Sequence, residues 1–129
     1  MSTPALIAQR VGDLYDTIYC HFDGYPEYMH TMLRRNYDTT EKVSELIAYG
    51  DASAIKENVV PMFDKHSFDT PEKGCCVFYH RDRGDAWLSC APVLYTKKNL
   101  FKRDLNSVDY IYVFENGSWS AFYCGTKIC

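Results

Sequence analysis

Residues 108–124 read VDYIYVFENGSWSAFYC, and this stretch decides the fold class. Val108 to Phe114 is a run of β-branched and aromatic residues, the composition that suits a pleated surface. Asn116-Gly117 follows, a dipeptide that tolerates the two positive φ angles of a tight hairpin turn. Ser118 to Cys124 supplies the returning strand. The N-terminus shows the same design. Pro4 to Val11 carries Leu6, Ile7, Ala8 and Val11, Gly12-Asp13 is a turn signal, and Leu14 to Phe22 is a second strand. At period two, Leu14, Ile18, Cys20 and Phe22 are expected on its buried face.

Between these hairpins the pattern changes. Asp23-Gly24-Tyr25-Pro26 breaks the strand. Pro26 suits a first helical position, and Glu27 places negative charge where the helix dipole favours it. A helix is expected from Pro26 to Tyr37, with Tyr25, Met29, Met32, Leu33 and Asn36 on one side. Thr39 or Thr40 caps a second helix, Glu41 to Tyr49, with a core stripe of Val43, Leu46 and Ile47 and a stop at Gly50. Asp51 is expected to cap a short helical turn through Lys56. Asn58 to Lys73, with Pro61 and Pro71, reads as a long surface loop anchored by Met62, Phe63 and Phe68, long enough to be an interaction segment. Cys75 to His80 and Ala86 to Ala91 read as strands, and Tyr95 to Asp104 as a lysine-rich helix or loop. The expected architecture is a single α+β domain over residues 1–129: a mostly antiparallel sheet with two or three helices packed on one face.

Composition narrows the function. In 129 residues, 16% are aromatic, 47% hydrophobic and 24% charged, which excludes a wholly disordered chain. This length is too short for a TIM barrel or a protein kinase. The net charge of −3 is not that of a general nucleic-acid binder. Acidic residues exceed basic ones up to residue 72, whereas residues 73–129 carry eight basic and five acidic side chains. The C-terminal half is therefore where a phosphate or an acidic partner would be met. No basic leader with an apolar run opens the chain and no stretch approaches the roughly 18 apolar residues of a membrane span. A cytoplasmic protein without membrane contact is expected, with all six cysteines reduced.

Chemical motifs are scarce. His21 and Asp23, beside Cys20 and Tyr25, are the densest polar group. They suit a general base with its orienting carboxylate, or a strand end and turn. His80-Arg81-Asp82 lacks the Asn five residues after the Asp that a kinase catalytic loop needs, since Trp87 stands there. No C-x₂-C pair and no i, i+4 His pair occurs, so neither metal nor cofactor is expected. The candidate contact residues are Tyr79, Arg81, Arg83 and Asp85 around the Gly84 turn, and the basic cluster Lys97, Lys98, Lys102 and Arg103. Neither arginine is expected to serve the core, and the lysine cluster is expected to extend the same positive surface. Eleven tyrosines favour a protein-binding surface.

The stretch Ile18-Tyr19-Cys20-His21-Phe22-Asp23-Gly24-Tyr25-Pro26-Glu27 resembles a group of small proteins carried by bacteriophages and prophages. Lys42-Val43, Leu46-Ile47, Gly50-Asp51 and Tyr79-His80-Arg81-Asp82-Arg83-Gly84 follow in the same order. The resemblance covers roughly residues 1–85 and carries no activity with it. It implies a non-catalytic protein that acts in the host cytoplasm by occupying a host defence or housekeeping complex, in the manner of CRISPR inhibitors. Two other readings stand beside it. One is sequestration of a nucleotide messenger through Arg81, Arg83 and neighbouring tyrosines, with an RNA or phosphate-rich ligand as the contact of the Lys97, Lys98, Lys102 and Arg103 cluster; the other is a small hydrolase or nuclease using His21 and Asp23.

Overall fold

The computed structural model describes residues 2–102 and 108–128. Strands β1 (Ala5–Val11) and β2 (Leu14–Cys20) form the first hairpin, closed by the pair Val11↔Leu14 over Gly12-Asp13. Strands β6 (Tyr110–Glu115) and β7 (Ser118–Tyr123) form the second, with Asn116 at φ 54° and Gly117 at φ 80°. Both angles are positive, as a type I′ turn requires. The two hairpins join side by side through a parallel ladder between β1 and β6, from Ala5↔Tyr110 to Gln9↔Phe114. A short β8 (Thr126–Lys127) folds back on β7.

The other edge is built from later segments. Strand β3 (Ala52–Ala54) runs parallel to the end of β2 at Cys20↔Ala52, and β4 (Val77–Phe78) pairs antiparallel with β3. The sheet order is β4-β3-β2-β1-β6-β7-β8, and β5 (Val93–Thr96) pairs with the start of β2. Two partners thus share one edge of β2. The Tyr19 N–H, which lies between them, donates to the Asp51 carboxylate at 2.9 Å. A backbone donor at a fork in the ladder is satisfied by a side chain in place of a strand.

Helices α1 (Pro26–Asn36) and α2 (Thr40–Ala48) cover one face of the sheet. Pro26 occupies the first turn of α1, and the Thr39 side chain accepts from the Lys42 N–H at the start of α2. Met29, Met32, Leu33, Val43, Leu46 and Ile47 pack there on Ala5, Ile7, Ile18, Tyr112 and Trp119. The Asp23-Gly24 corner that leads into α1 is set by close packing. The Gly24 N–H donates to Thr3 at 2.7 Å, its carbonyl accepts from the buried Tyr112 hydroxyl at 2.6 Å, and a Cβ on Gly24 would lie 2.8 Å from that of Ala5.

Several expectations are corrected. Among the described residues there are five helices, and they do not share one face: α5 (Lys97–Leu100) lies on the opposite side, where Leu100 packs with Leu6, Ala8, Tyr15, Ile111 and Val113. The sheet is mostly antiparallel but includes two parallel pairs. Because both faces are covered, period two does not single out a buried side: Tyr15 and Thr17 are buried, whereas Leu14 at the hairpin tip and Phe22 are exposed. The Asp51 segment is strand β3, because the open edge of β2 offers it a ladder. Ala86 to Ala91 holds the short helix α4 (Trp87–Cys90). The Cys75–His80 strand shrinks to Val77–Phe78 and continues as α3 (Tyr79–Arg83), since Asp82 takes the Phe78 N–H at 2.8 Å and Gly84, at φ 84°, ends the turn. The segment 55–74 contains no named helix or strand, yet Met62 and Phe63 are exposed; its buried anchors are Ile55, Val59 and the His66 side chain.

One core residue carries a pH signature. His30 of α1 is buried, stacks on Tyr112 with ring centroids 6.1 Å apart, and its Nε2 has no hydrogen-bond partner. Burial lowers its pKa below the usual 6.5, against the raising effect of a hydrogen bond to the Trp119 backbone. The unfolded chain thus binds the proton more readily than the native protein. The contribution to stability is full above about pH 6.5, the unfolded value, and is lost progressively as pH falls from there through the lowered native value. Urea midpoints should drop between about pH 7.5 and 5.5, and a His30→Gln protein should show a smaller drop over the same interval.

Candidate functional site

The α3–α4 edge has an inner layer that holds the structure and an outer layer that faces solvent. The inner layer centres on Arg81. The long segment before β4 leaves carbonyls without ladder partners, and the Arg81 guanidinium donates to those of Val59 and Cys76, the latter at 3.0 Å. The same group grips Asp82 at 2.9 and 3.1 Å. It also lies over the rings of Tyr49 and Phe78, 5.2 and 4.9 Å from their centroids. Asp82 further faces His66 Nε2 at 3.3 Å, with both side chains buried. Because His66 Nδ1 accepts from the Glu72 N–H at 2.9 Å, the proton sits on Nε2 and points at Asp82. Burial works to raise the Asp82 pKa, but the hydrogen bonds from Arg81, Phe78 and His66 prevail and hold it below the usual carboxylate value.

Cys75 Sγ lies 4.0 Å from His66 Nε2, which makes a Cys-His-Asp trio. The arrangement does not activate a nucleophile. A relay uses one imidazole nitrogen for the nucleophile and the other for the carboxylate, whereas here Nε2 faces both and Nδ1 is occupied by the backbone. Burial also raises the Cys75 thiol pKa. The trio fastens the 55–74 segment to α3. Arg81 is thus a structural residue, in contrast to its expected place on a solvated turn, because the carbonyls of an irregular segment need a multi-donor fork.

The outer layer is aromatic and electrically neutral. Arg83 grips Asp85 through both nitrogens of its fork, at 2.9 and 2.6 Å. Its guanidinium lies against both Phe68 and Tyr79, 4.9 and 4.6 Å from the ring centroids, and the two rings meet each other at 5.9 Å. His80 Nδ1 lies 2.8 Å from the Asp85 carbonyl, and its ring meets Trp87 edge-on at 5.1 Å. Trp87 is 38% exposed and Leu88 is 94% exposed. Tyr79 is half-buried. Each arginine of the turn already holds a carboxylate, so the edge offers neither an open anion fork nor excess charge.

The remaining candidates fall elsewhere. The structure does not join His21 to Asp23: His21 Nδ1 bonds the Tyr19 hydroxyl at 2.8 Å, while Asp23 faces Lys56 at 3.9 Å. Lys97 and Lys98 lie on α5, against the face opposite α1 and α2, and Lys102 follows it. Arg103 lies outside the described residues. Lys97 lines a cavity with Lys127 and does not extend the Arg83 surface. Among the described residues no group of three or more His, Cys, Asp or Glu side chains is placed to hold a metal, and no helix is long and apolar enough to cross a membrane. Trp87 and Leu88 are contact candidates that the sequence concealed, because Ala86 to Ala91 has the apolar content of a strand. No protein-family model, curated protein or solved structure matches the chain.

Proposed function

We propose that the protein is a non-catalytic binding protein that grips a protein partner through Tyr79, Arg83, Trp87 and Leu88. The exposure of Leu88 and Trp87 on a neutral edge carries this reading. Tyr79, Arg83 and Trp87 have the residue chemistry of interface anchors, and beside them Leu88 leaves an apolar side chain almost wholly in water. The edge is fixed beneath by the Arg81–Asp82–His66 node, so little freedom is lost on docking. The carboxylates in the Arg81 and Arg83 forks favour a protein surface over a nucleotide at this position. Occupancy of a host complex, as the resemblance to phage-borne proteins implies, is the mode of action we assign. The His21/Asp23 hydrolase reading has no paired geometry in its favour.

The test is affinity capture from host extract with wild-type and Leu88→Asp baits, analysed by mass spectrometry. Leu88 makes no core contact, so the variant should fold normally, as exposed substitutions usually cost within about 0.5 kcal/mol. A protein enriched by the wild type should fall at least about tenfold on the variant. Equal enrichment on both baits would remove this surface from the function.

A further inference from the structure

A second site lies on the other side of the sheet, independent of the proposed partner surface. A cavity of about 250 Å³ opens between α5 and residues of β2, β6, β7 and β8. Tyr15, buried, forms part of its floor, and Phe101 and Phe122 form an aromatic wall with ring centroids 4.7 Å apart. Lys97, Lys127, Glu115 and Ser120 supply its polar groups. An apolar hollow with a few convergent polar side chains is the usual form of a small-ligand site.

The charges around it are unequal. Glu115 is held through one oxygen, Oε2, by the Tyr15 hydroxyl at 3.3 Å and by Arg10 at 3.7 Å. Arg10 therefore offsets Glu115. Lys97 and Lys127 have no ion-pair partner among the described residues, so the cavity keeps two positive charges beside aromatic walls. The ligand that complements this set is small, planar and anionic, and it offers an N–H donor to the free oxygen of Glu115. The geometry points to a purine nucleoside monophosphate, with its base against Phe101 and Phe122 and its phosphate at Lys97 and Lys127. Guanine suits Glu115 best, since its adjacent N1–H and N2–H groups can both converge on that one free oxygen, whereas adenine offers only its amino group. The volume suits one base with its sugar and excludes burial of a longer oligonucleotide.

Calorimetric titration of the full chain with GMP, AMP, guanosine and a short single-stranded RNA tests the site. Saturable one-to-one binding of GMP is expected, tighter than AMP, and tighter than guanosine by about tenfold through the phosphate. Lys97→Ala with Lys127→Ala, both exposed positions, should erase the advantage of GMP over guanosine. Leu88→Asp should leave GMP binding unchanged, which separates this site from the partner surface. Absence of saturable GMP binding, affinity unaltered by the lysine substitutions, or RNA bound more than about tenfold tighter than GMP would each overturn the proposal.

Discussion

Replacing Arg81 with Met is expected to destabilise the protein by about 3 kcal/mol, whereas Arg83→Met should leave the urea midpoint close to that of the wild type. The two residues are neighbours in one short helix, and each grips a carboxylate, so the contrast is informative. Losing Arg81 leaves the buried Asp82 without its cation, takes the guanidinium donor from the Cys76 carbonyl, and leaves the Val59 carbonyl only the weak Cys75 thiol donor. Breaking a buried pair from one side is costly because the remaining charge stays in a poor solvent. Arg83 and Asp85 are far more accessible, and water replaces what is lost. Urea unfolding of the two single variants measures the difference. Arg81→Lys should rescue little, since an ammonium cannot reproduce the fork that reaches two carbonyls and both carboxylate oxygens. Equal effects of Arg81→Met and Arg83→Met would contradict the division into inner and outer layers.

Gly50→Ala should be the other severe substitution, at about 2–5 kcal/mol. Gly50 has φ 83°, a conformation that costs other residues about 1–2 kcal/mol. A Cβ there would also lie 2.3 Å from the Cys90 carbonyl oxygen and 3.2 Å from the Trp87 ring. Backbone cannot yield as a side-chain tip does, so α4 must move. The neighbouring Asp51 N–H donates to the same Cys90 carbonyl at 2.8 Å, and the Asp51 carboxylate caps the fork in the β2 ladder. One methyl group would thus disturb the seat of Trp87 and the edge of the sheet together. Gly84→Ala is the control. Gly84 has φ 84° but no atom within 4 Å of an added Cβ, so only the conformational cost of about 1–2 kcal/mol applies. Thermal unfolding should rank the two with Gly50→Ala clearly lower. The reverse ranking would contradict the close approach of Gly50 to α4.

The parts of the fold written in local chemistry were legible in the sequence. Both hairpins follow from Gly12-Asp13 and Asn116-Gly117, and α1 and α2 follow from Pro26, Thr39 and the Val43, Leu46, Ile47 stripe. Segments decided by a distant partner were not. Ala52–Ala54 becomes a strand because β2 has an open edge, and Val93–Thr96 for the same reason. Period two fails in β2 because α5 covers the face opposite α1 and α2. At the candidate site, the Gly84 bend could be read from residue types. The difference between Arg81 and Arg83 could not, because it rests on Val59 and His66, which only the tertiary fold brings to α3.

The central claim is that binding runs through a neutral aromatic edge. The affinity of the wild-type chain for its captured partner, measured from about 50 mM to about 500 mM salt, tests that claim most directly. The dissociation constant should change less than about threefold across this range, because paired charges release few counterions and apolar contacts are not screened. Leu88→Asp should lose at least about tenfold in affinity at both ends of the range. A steep fall of affinity with salt, with Leu88→Asp binding as the wild type does, would contradict the account and assign the partner to the lysines of the C-terminal half.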